Sequence, residues 1–156
     1  MDDALIQIRA CKDLYLDEIS EPLVNELRIV ISEAKTGELA DPEMFADDQA
    51  MQSLLSGARA VVRTVESKVF ELSWSTYVAY SVRNESFVMS DEYEDFEGRL
   101  LVKYSKSRYL DFVAAATFAS SDYPGLLQHW GLGCLNHIVD VVSLEAPCIT
   151  VRTSST

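Results

Sequence analysis

Hydrophobic periodicity predicts an α+β fold: a mostly antiparallel sheet of about six strands, with one or two helices packed on a face. Three stretches carry that expectation. In Val69–Arg83 the residues Phe70, Leu72, Trp74, Thr76, Val78, Tyr80 and Val82 fall on one side, opposite Glu71, Ser73, Ser75, Tyr77, Ala79, Ser81 and Arg83. A period of two, rich in aromatic and β-branched residues, fits a half-buried strand whose even-numbered face is core. Gln128–Val142 is a second long β candidate. Gly131 and Gly133 weaken its first half, and it is apolar on both faces from Ile138 to Val142 except at Asp140. Tyr109, Phe112, Val113 and Ala116 stand at i, i+3, i+4 and i+7, which predicts a helix capped by Ser105 or Ser107 and running to about Ala119.

The remaining elements follow in order. Residues 1–13 show no clear period, and Leu14–Ile19 reads as a short strand stopped by Pro22. Leu27–Ile31 is a strand with Leu27, Ile29 and Ile31 on one face, closed by a turn at Lys35-Thr36-Gly37. Asp41-Pro42-Glu43 has the cap, the first-position proline and the acids of a helix start, so 41–56 is read as helical. Arg59–Val65 is a strand, and the short break Glu66-Ser67-Lys68 makes it a hairpin with Val69–Arg83. Leu100–Tyr104 is a short apolar stretch, and Ile149–Val151 is the last strand. A chain of 156 residues suits one domain over 1–156, with the final few residues loose.

Charge restricts the partners. Thirteen basic against 25 acidic residues give a net −12. Nucleic acid and anionic membrane surfaces both need clustered Lys and Arg, so both are disfavoured. A basic protein partner is favoured, since opposite charge steers and accelerates the encounter. No run approaches the about 18 apolar residues of a membrane span. The acidic start Met1-Asp2-Asp3 is unlike a secretory signal, and three cysteines without a Cys-x-x-Cys pair do not make a disulfide framework. A cytoplasmic setting with reduced thiols is the expectation, with no cofactor and no metal.

Four groups of residues invite chemistry. His129, Cys134, His137 and Asp140 form the first. In one regular strand the two histidines would stand roughly 27 Å apart, at about 3.4 Å per residue. One zinc with ligands at about 2.0–2.3 Å cannot hold both, so a structural role is favoured. Asp140 interrupts an apolar run, where a carboxylate needs a counter-ion; Arg83 and Arg63 are the candidates. Arg83-Asn84-Glu85-Ser86 is a polar cluster at a strand end, suited equally to a site or to a turn. The acidic run Asp91, Glu92, Tyr93, Glu94, Asp95, Phe96 and Glu97 is either a solvated loop or a docking surface with aromatic anchors. Phosphate loops, nucleophile elbows, H-E-x-x-H and EF-hand patterns are all missing from the sequence.

The leading functional expectation is a small acidic protein-binding domain of bacterial immunity or antitoxin type, covering a basic toxin surface through Asp91–Glu97. The second is a small-molecule or enzymatic domain with a pocket built from Trp74, Tyr80, Arg83, Glu85, Trp130, His137 and Asp140. The third is a structural subunit that dimerises through an exposed sheet edge.

Overall fold

Leu27, Ile29 and Ile31 are completely buried, and the strand that carries them organises the first of two antiparallel sheets. The computed structural model describes residues 3–39, 50, 59–62 and 66–153. In chain order they form α1 (Asp3–Ala10), β1 (Asp13–Ser20), β2 (Leu27–Leu39), β3 (Arg59–Val62), β4 (Lys68–Trp74), β5 (Ala79–Asn84), β6 (Asp95–Arg99), β7 (Leu101–Lys106), α2 (Arg108–Ala116), β8 (Gln128–Gly133), β9 (His137–Ser143) and β10 (Cys148–Thr153). The first sheet has the order β1-β2-β4-β10, with β3 paired to the far part of β2; the second is β5-β9-β8-β7-β6. The α+β class and the antiparallel pairing agree with the sequence, but the strands are more numerous and divide between two layers.

One continuous core joins those layers. Leu14, Leu16, Leu27, Ile29, Ile31, Phe70, Leu72 and Trp74 from the first sheet meet Leu101, Trp130, Leu132, Val139 and Val141 from the second. Burying each aliphatic or Phe side chain contributes about 1.5–3 kcal/mol, so this contact dominates the fold's stability. In β1 a bulge between Leu16 and Glu18 inserts Asp17 into the strand, and the next inward pair is Ile19 with Ile29. That extra residue keeps Leu14, Leu16 and Ile19 on one face although their spacing breaks strict alternation. The β8–β9 turn fastens the layers at one end: Asn136 Oδ1 accepts from Leu16 N–H at 3.0 Å and its Nδ2 donates to Leu16 O at 3.0 Å, beside Leu135 N–H to Leu14 O at 2.8 Å. At the end of α1, the Arg99 guanidinium donates to the carbonyls of Arg9, Cys11 and Lys12, which the helix leaves unpaired.

Several expected elements are corrected. Residues 3–10, aperiodic by eye, form α1, with Ala4 and Ile8 buried one turn apart. The strand beginning at Leu27 does not turn at Lys35-Thr36-Gly37, because β3 extends its ladder to Leu39. The hairpin expected between Arg59–Val65 and Val69–Arg83 is absent: β3 and β4 both run antiparallel to β2, hence in the same direction. Val69–Arg83 itself is two strands in two sheets. Trp74 pairs with Leu27, the first residue of β2, so the backbone beyond Trp74 has no partner in that sheet. It gains one by crossing to the second sheet, where Val78 N–H donates to Val142 O at 2.8 Å. The even-numbered face is core through Trp74, whereas Val82 is 43% exposed. Gln128–Val142 is likewise two strands, folded as a hairpin at Cys134-Leu135-Asn136. The helix after Ser107 ends at Ala116 rather than near Ala119. Apart from residue 50, the helix expected over 41–56 lies outside the described residues, as does Arg63. No helix among the described residues is long and apolar enough to cross a membrane.

Gly131 shows how closely the outer face of the second sheet is packed. A Cβ there would stand 2.6 Å from Tyr104 Cε2 and 3.1 Å from Val102 Cγ2, so the missing side chain is what lets the Tyr104 ring lean over the strand. Gly131→Ala should therefore cost about 1–3 kcal/mol through overpacking. Urea titration checks this; a midpoint equal to that of the parent chain would show that the ring has room to move.

Candidate functional site

Hairpin formation decides which side chains meet. Pairing His129 with Val142 and Gly131 with Asp140 places His129 and Asp140 as diagonal neighbours on one face. In a single strand, residues eleven apart would have faced opposite ways. His129 Nε2 lies 2.9 Å from Asp140 Oδ1, and Nδ1 lies 2.7 Å from Ser107 Oγ. Ser107 Oγ also accepts from Leu110 N–H at 3.0 Å, as the N-cap of α2. Arg83 Nη2 donates to Asp140 Oδ2 at 2.9 Å, the pairing anticipated from the sequence. The result is one chain of hydrogen bonds running from the start of α2 through Ser107, His129 and Asp140 to Arg83. With Ser107 Oγ already accepting from Leu110, its proton is free for His129 Nδ1, and the Nε2–H tautomer then completes every bond.

Burial sorts these groups. Ser107, His129 and Asp140 are 0%, 1% and 2% exposed, whereas the Arg83 side chain is 53% exposed. Tyr104 stacks on the His129 ring at 4.2 Å, and Tyr109 meets it tilted at 5.5 Å. Burial first, then the Asp140 charge, pushes the Tyr104 phenol up to about 12. The Tyr109 phenol is also raised, chiefly by burial, and its hydroxyl bonds Ser81. Although Ser107, His129 and Asp140 are hydrogen-bonded in series, a nucleophile must reach a substrate atom, and Ser107 has no exposed surface. This network positions α2 and Arg83.

Arg83 opens into a cleft of about 300 Å³ lined by Ser81, Met89, Asp91, Glu94, Arg108 and Tyr109. Of the pocket expected from the sequence, Arg83 and Asp140 are brought together here. Trp74 and Trp130 belong to the inter-sheet core, and Tyr80 packs against its margin beside Tyr77. Glu85 is exposed in a short 3₁₀ turn, where Asn84 Oδ1 accepts from Ser86 N–H, so that polar cluster builds the turn. His137 begins β9, away from His129, and its buried Nδ1 has no hydrogen-bond partner among the described residues. Cys134 is buried, and burial raises its thiol to about 12, which removes it as a nucleophile at neutral pH. No group of three His, Cys, Asp or Glu side chains among the described residues could hold a metal.

The acidic run divides in two. Asp91 pairs with Arg108, which holds its carboxyl below the usual range, and Arg108 N–H donates to Glu94 at 3.4 Å. Tyr93 is also taken inward: its hydroxyl donates to Asp111, with Lys106 and Arg108 at 4.1 and 4.6 Å from its ring. Glu92, Asp95 and Glu97 instead stay exposed without an ion pair among the described residues. Asp95 and Glu97 lie in β6, not in a loop. Phe96 is 57% exposed and leans on Tyr104 at 5.4 Å. Together with Val88 and Met89 it borders a groove of about 350 Å³ floored by Val102, Gly133 and Ile138. Sequence reasoning missed Val88 and Met89, and missed Ser107 with His129 because one strand was assumed where a hairpin forms. The apolar Phe87-Val88-Met89, one residue before the acids, was the available signal.

Comparison with protein-family models, with curated proteins and with solved structures gives no match for this chain.

Asp140→Asn or His129→Ala should destabilise the chain by about 3 kcal/mol, because each leaves a buried partner unsatisfied. Arg83→Ala should cost about 1 kcal/mol or less, since water can reach its end of the chain. Denaturant unfolding of the three variants checks this order, and equal losses would remove the burial gradient from the explanation.

Stability should also fall as pH rises from about 9 to about 12. Tyr104 and Cys134 hold their protons to about 12 in the folded chain, against ordinary values of 10.0 and 9.0. Over that window the native state binds more protons than the unfolded state, so the contribution is full below it and lost through it. Urea midpoints across the range test this, and Tyr104→Phe should flatten the decline.

Proposed function

We propose that this chain is a protein-binding domain whose docking surface is the groove beside β6, with Phe96, Val88 and Met89 as apolar anchors and the exposed carboxylates of Glu92, Asp95 and Glu97 on the same segment. The observation that carries the reading is the clustering of exposed apolar side chains: Phe87 at 83%, Met89 at 82% and Phe96 at 57% fall within ten residues of sequence. Large apolar side chains scattered singly are ordinary, but a group of them around a groove marks an interaction surface.

Charge selects the partner class. The net −12 steers basic proteins toward the chain, and the three exposed carboxylates without an ion pair among the described residues offer local complementarity. The specific version is an immunity or antitoxin role, in which these carboxylates stand where a basic toxin would hold phosphates. The acids bound to Arg108 and the internally committed Tyr93 belong to the scaffold of that surface, so Glu92, Asp95, Phe96 and Glu97 carry the recognition.

A basic protein recovered on the immobilised chain, identified and purified, provides the test by calorimetry. Phe96→Ala and Met89→Asp should each weaken its affinity about 10–100-fold. Glu92→Lys with Glu97→Lys should mainly slow association and reduce its dependence on salt. If affinity survives all four substitutions, the docking surface lies elsewhere.

A further inference from the structure

Among the described residues the two strand paths end at β1, β10, β5 and β6, with β3 off the path, and three of these four ends are guarded. The β1 edge carries Asp13, Asp17 and Glu18 and is bulged between Leu16 and Glu18. The β6 edge carries Asp95 and Glu97, is bulged between Asp95 and Phe96, and turns through Gly98 at φ 98°. The β5 strand is flanked at its start by the turn before β2, through Tyr77 N–H to Asn25 O at 3.2 Å and the Tyr77 hydroxyl to Glu21. Charges and bulges on β1 and β6, and a loop covering the start of β5, hinder the addition of another strand.

β10 has none of these devices. Its register with β4 runs unbroken from Cys148 to Thr153, it contains neither carboxylate nor proline, and five of its six residues are exposed. Ile149, Thr150, Val151 and Thr153 are β-branched, which favours extended backbone. Among the described residues no strand pairs with its outer edge.

We propose that the β10 edge is a self-association surface, on which two copies of this chain pair antiparallel about a two-fold axis through Thr150. Charge singles out a second copy as the occupant. A basic partner finds no carboxylate on β10, whereas two chains of net −12 repel least where each presents only Arg152. Register supports the same occupant. Ile149 and Val151 stand opposite Leu72 and Phe70 on the core face, while Cys148, Thr150 and Arg152 share the other. A two-fold at Thr150 preserves that parity: threonine meets threonine, Ile149 of one copy meets Val151 of the other, and each Arg152 meets Cys148. No like charges are opposed, and the two first sheets become one continuous sheet, an isologous contact in which every pair off the axis occurs twice. This surface lies on the other sheet from the proposed docking groove and is independent of it.

Sedimentation equilibrium across a concentration series tests the proposal. The chain should show a monomer–dimer equilibrium, and Thr150→Lys, which sets two ammonium groups face to face on a solvent-exposed position, should weaken it about ten-fold or more. The circular dichroism and melting temperature of Thr150→Lys should match the parent, separating lost pairing from lost folding. In a Cys148→Ser background, Thr150→Cys should form a disulfide-linked dimer on mild oxidation, while Glu92→Cys should not. Sedimentation at 17.4 kDa throughout, a dimer unaffected by Thr150→Lys, or equal cross-linking by the two cysteines would each overturn it.

Discussion

Asp140 is a carboxylate with almost no access to water, placed in a central strand of a five-stranded sheet, and the outer half of the molecule is arranged around it. Desolvating such a group costs several kcal/mol unless both oxygens are paired. His129 takes one oxygen and Arg83 the other. That requirement propagates outward. His129, fixed at one nitrogen, needs a partner at the other, and Ser107 supplies it while capping α2. The place where α2 begins is thereby tied to a carboxylate two strands away. Tyr104 then lies flat on the imidazole, and its ring needs the space that Gly131 leaves open. Each member of the group is held by its neighbours, which is why a polar chain inside an apolar sheet is compatible with a stable fold.

The same frame explains the uneven use of charge in the acidic segment. Arg108, the first residue of α2, sits where Asp91 and Glu94 can reach it, so two of the five carboxylates of the run are committed to holding the segment against the helix. Glu92, Asp95 and Glu97 are left exposed, without an ion pair among the described residues. Committed and uncommitted acids therefore share one short segment. Net charge alone would have treated all five acids alike.

The first sheet carries a different pattern. On its outer face Glu18, Arg28 and Glu71 form a row across three strands, with bonds of 2.8 and 2.7 Å from the Arg28 guanidinium. Hydrogen bonding lowers both glutamate carboxyls, from Ser20 first and then Arg28 at Glu18, and from Arg28 at Glu71. These are surface pairs of modest worth. Their consequence is positional: acids guard the β1 side of this sheet, and β10 at the other side has none.

Local periodicity settled much of this protein. Phe70-Leu72-Trp74 and Leu27-Ile29-Ile31 were recognisable as core rows from alternation alone, since one buried face imposes a period of two wherever a strand lies. A cap at Ser105 or Ser107, the acidic run and the need of Asp140 for an arginine, Arg83 or Arg63, were legible for equally local reasons: an unpaired helix N–H, a run of carboxylates and a charge in an apolar strand each announce their requirement within a few residues. Which strands end where was not legible. The same alternation runs through Trp74 into β5 and through Gly133 toward His137, while the breaks depend on where a neighbouring strand stops supplying hydrogen-bond partners. One such break reverses the chain between His129 and Asp140 and brings onto one face two side chains that an uninterrupted strand would separate. Parity within a strand is a property of sequence; parity between strands is set by register, which only the folded sheet decides.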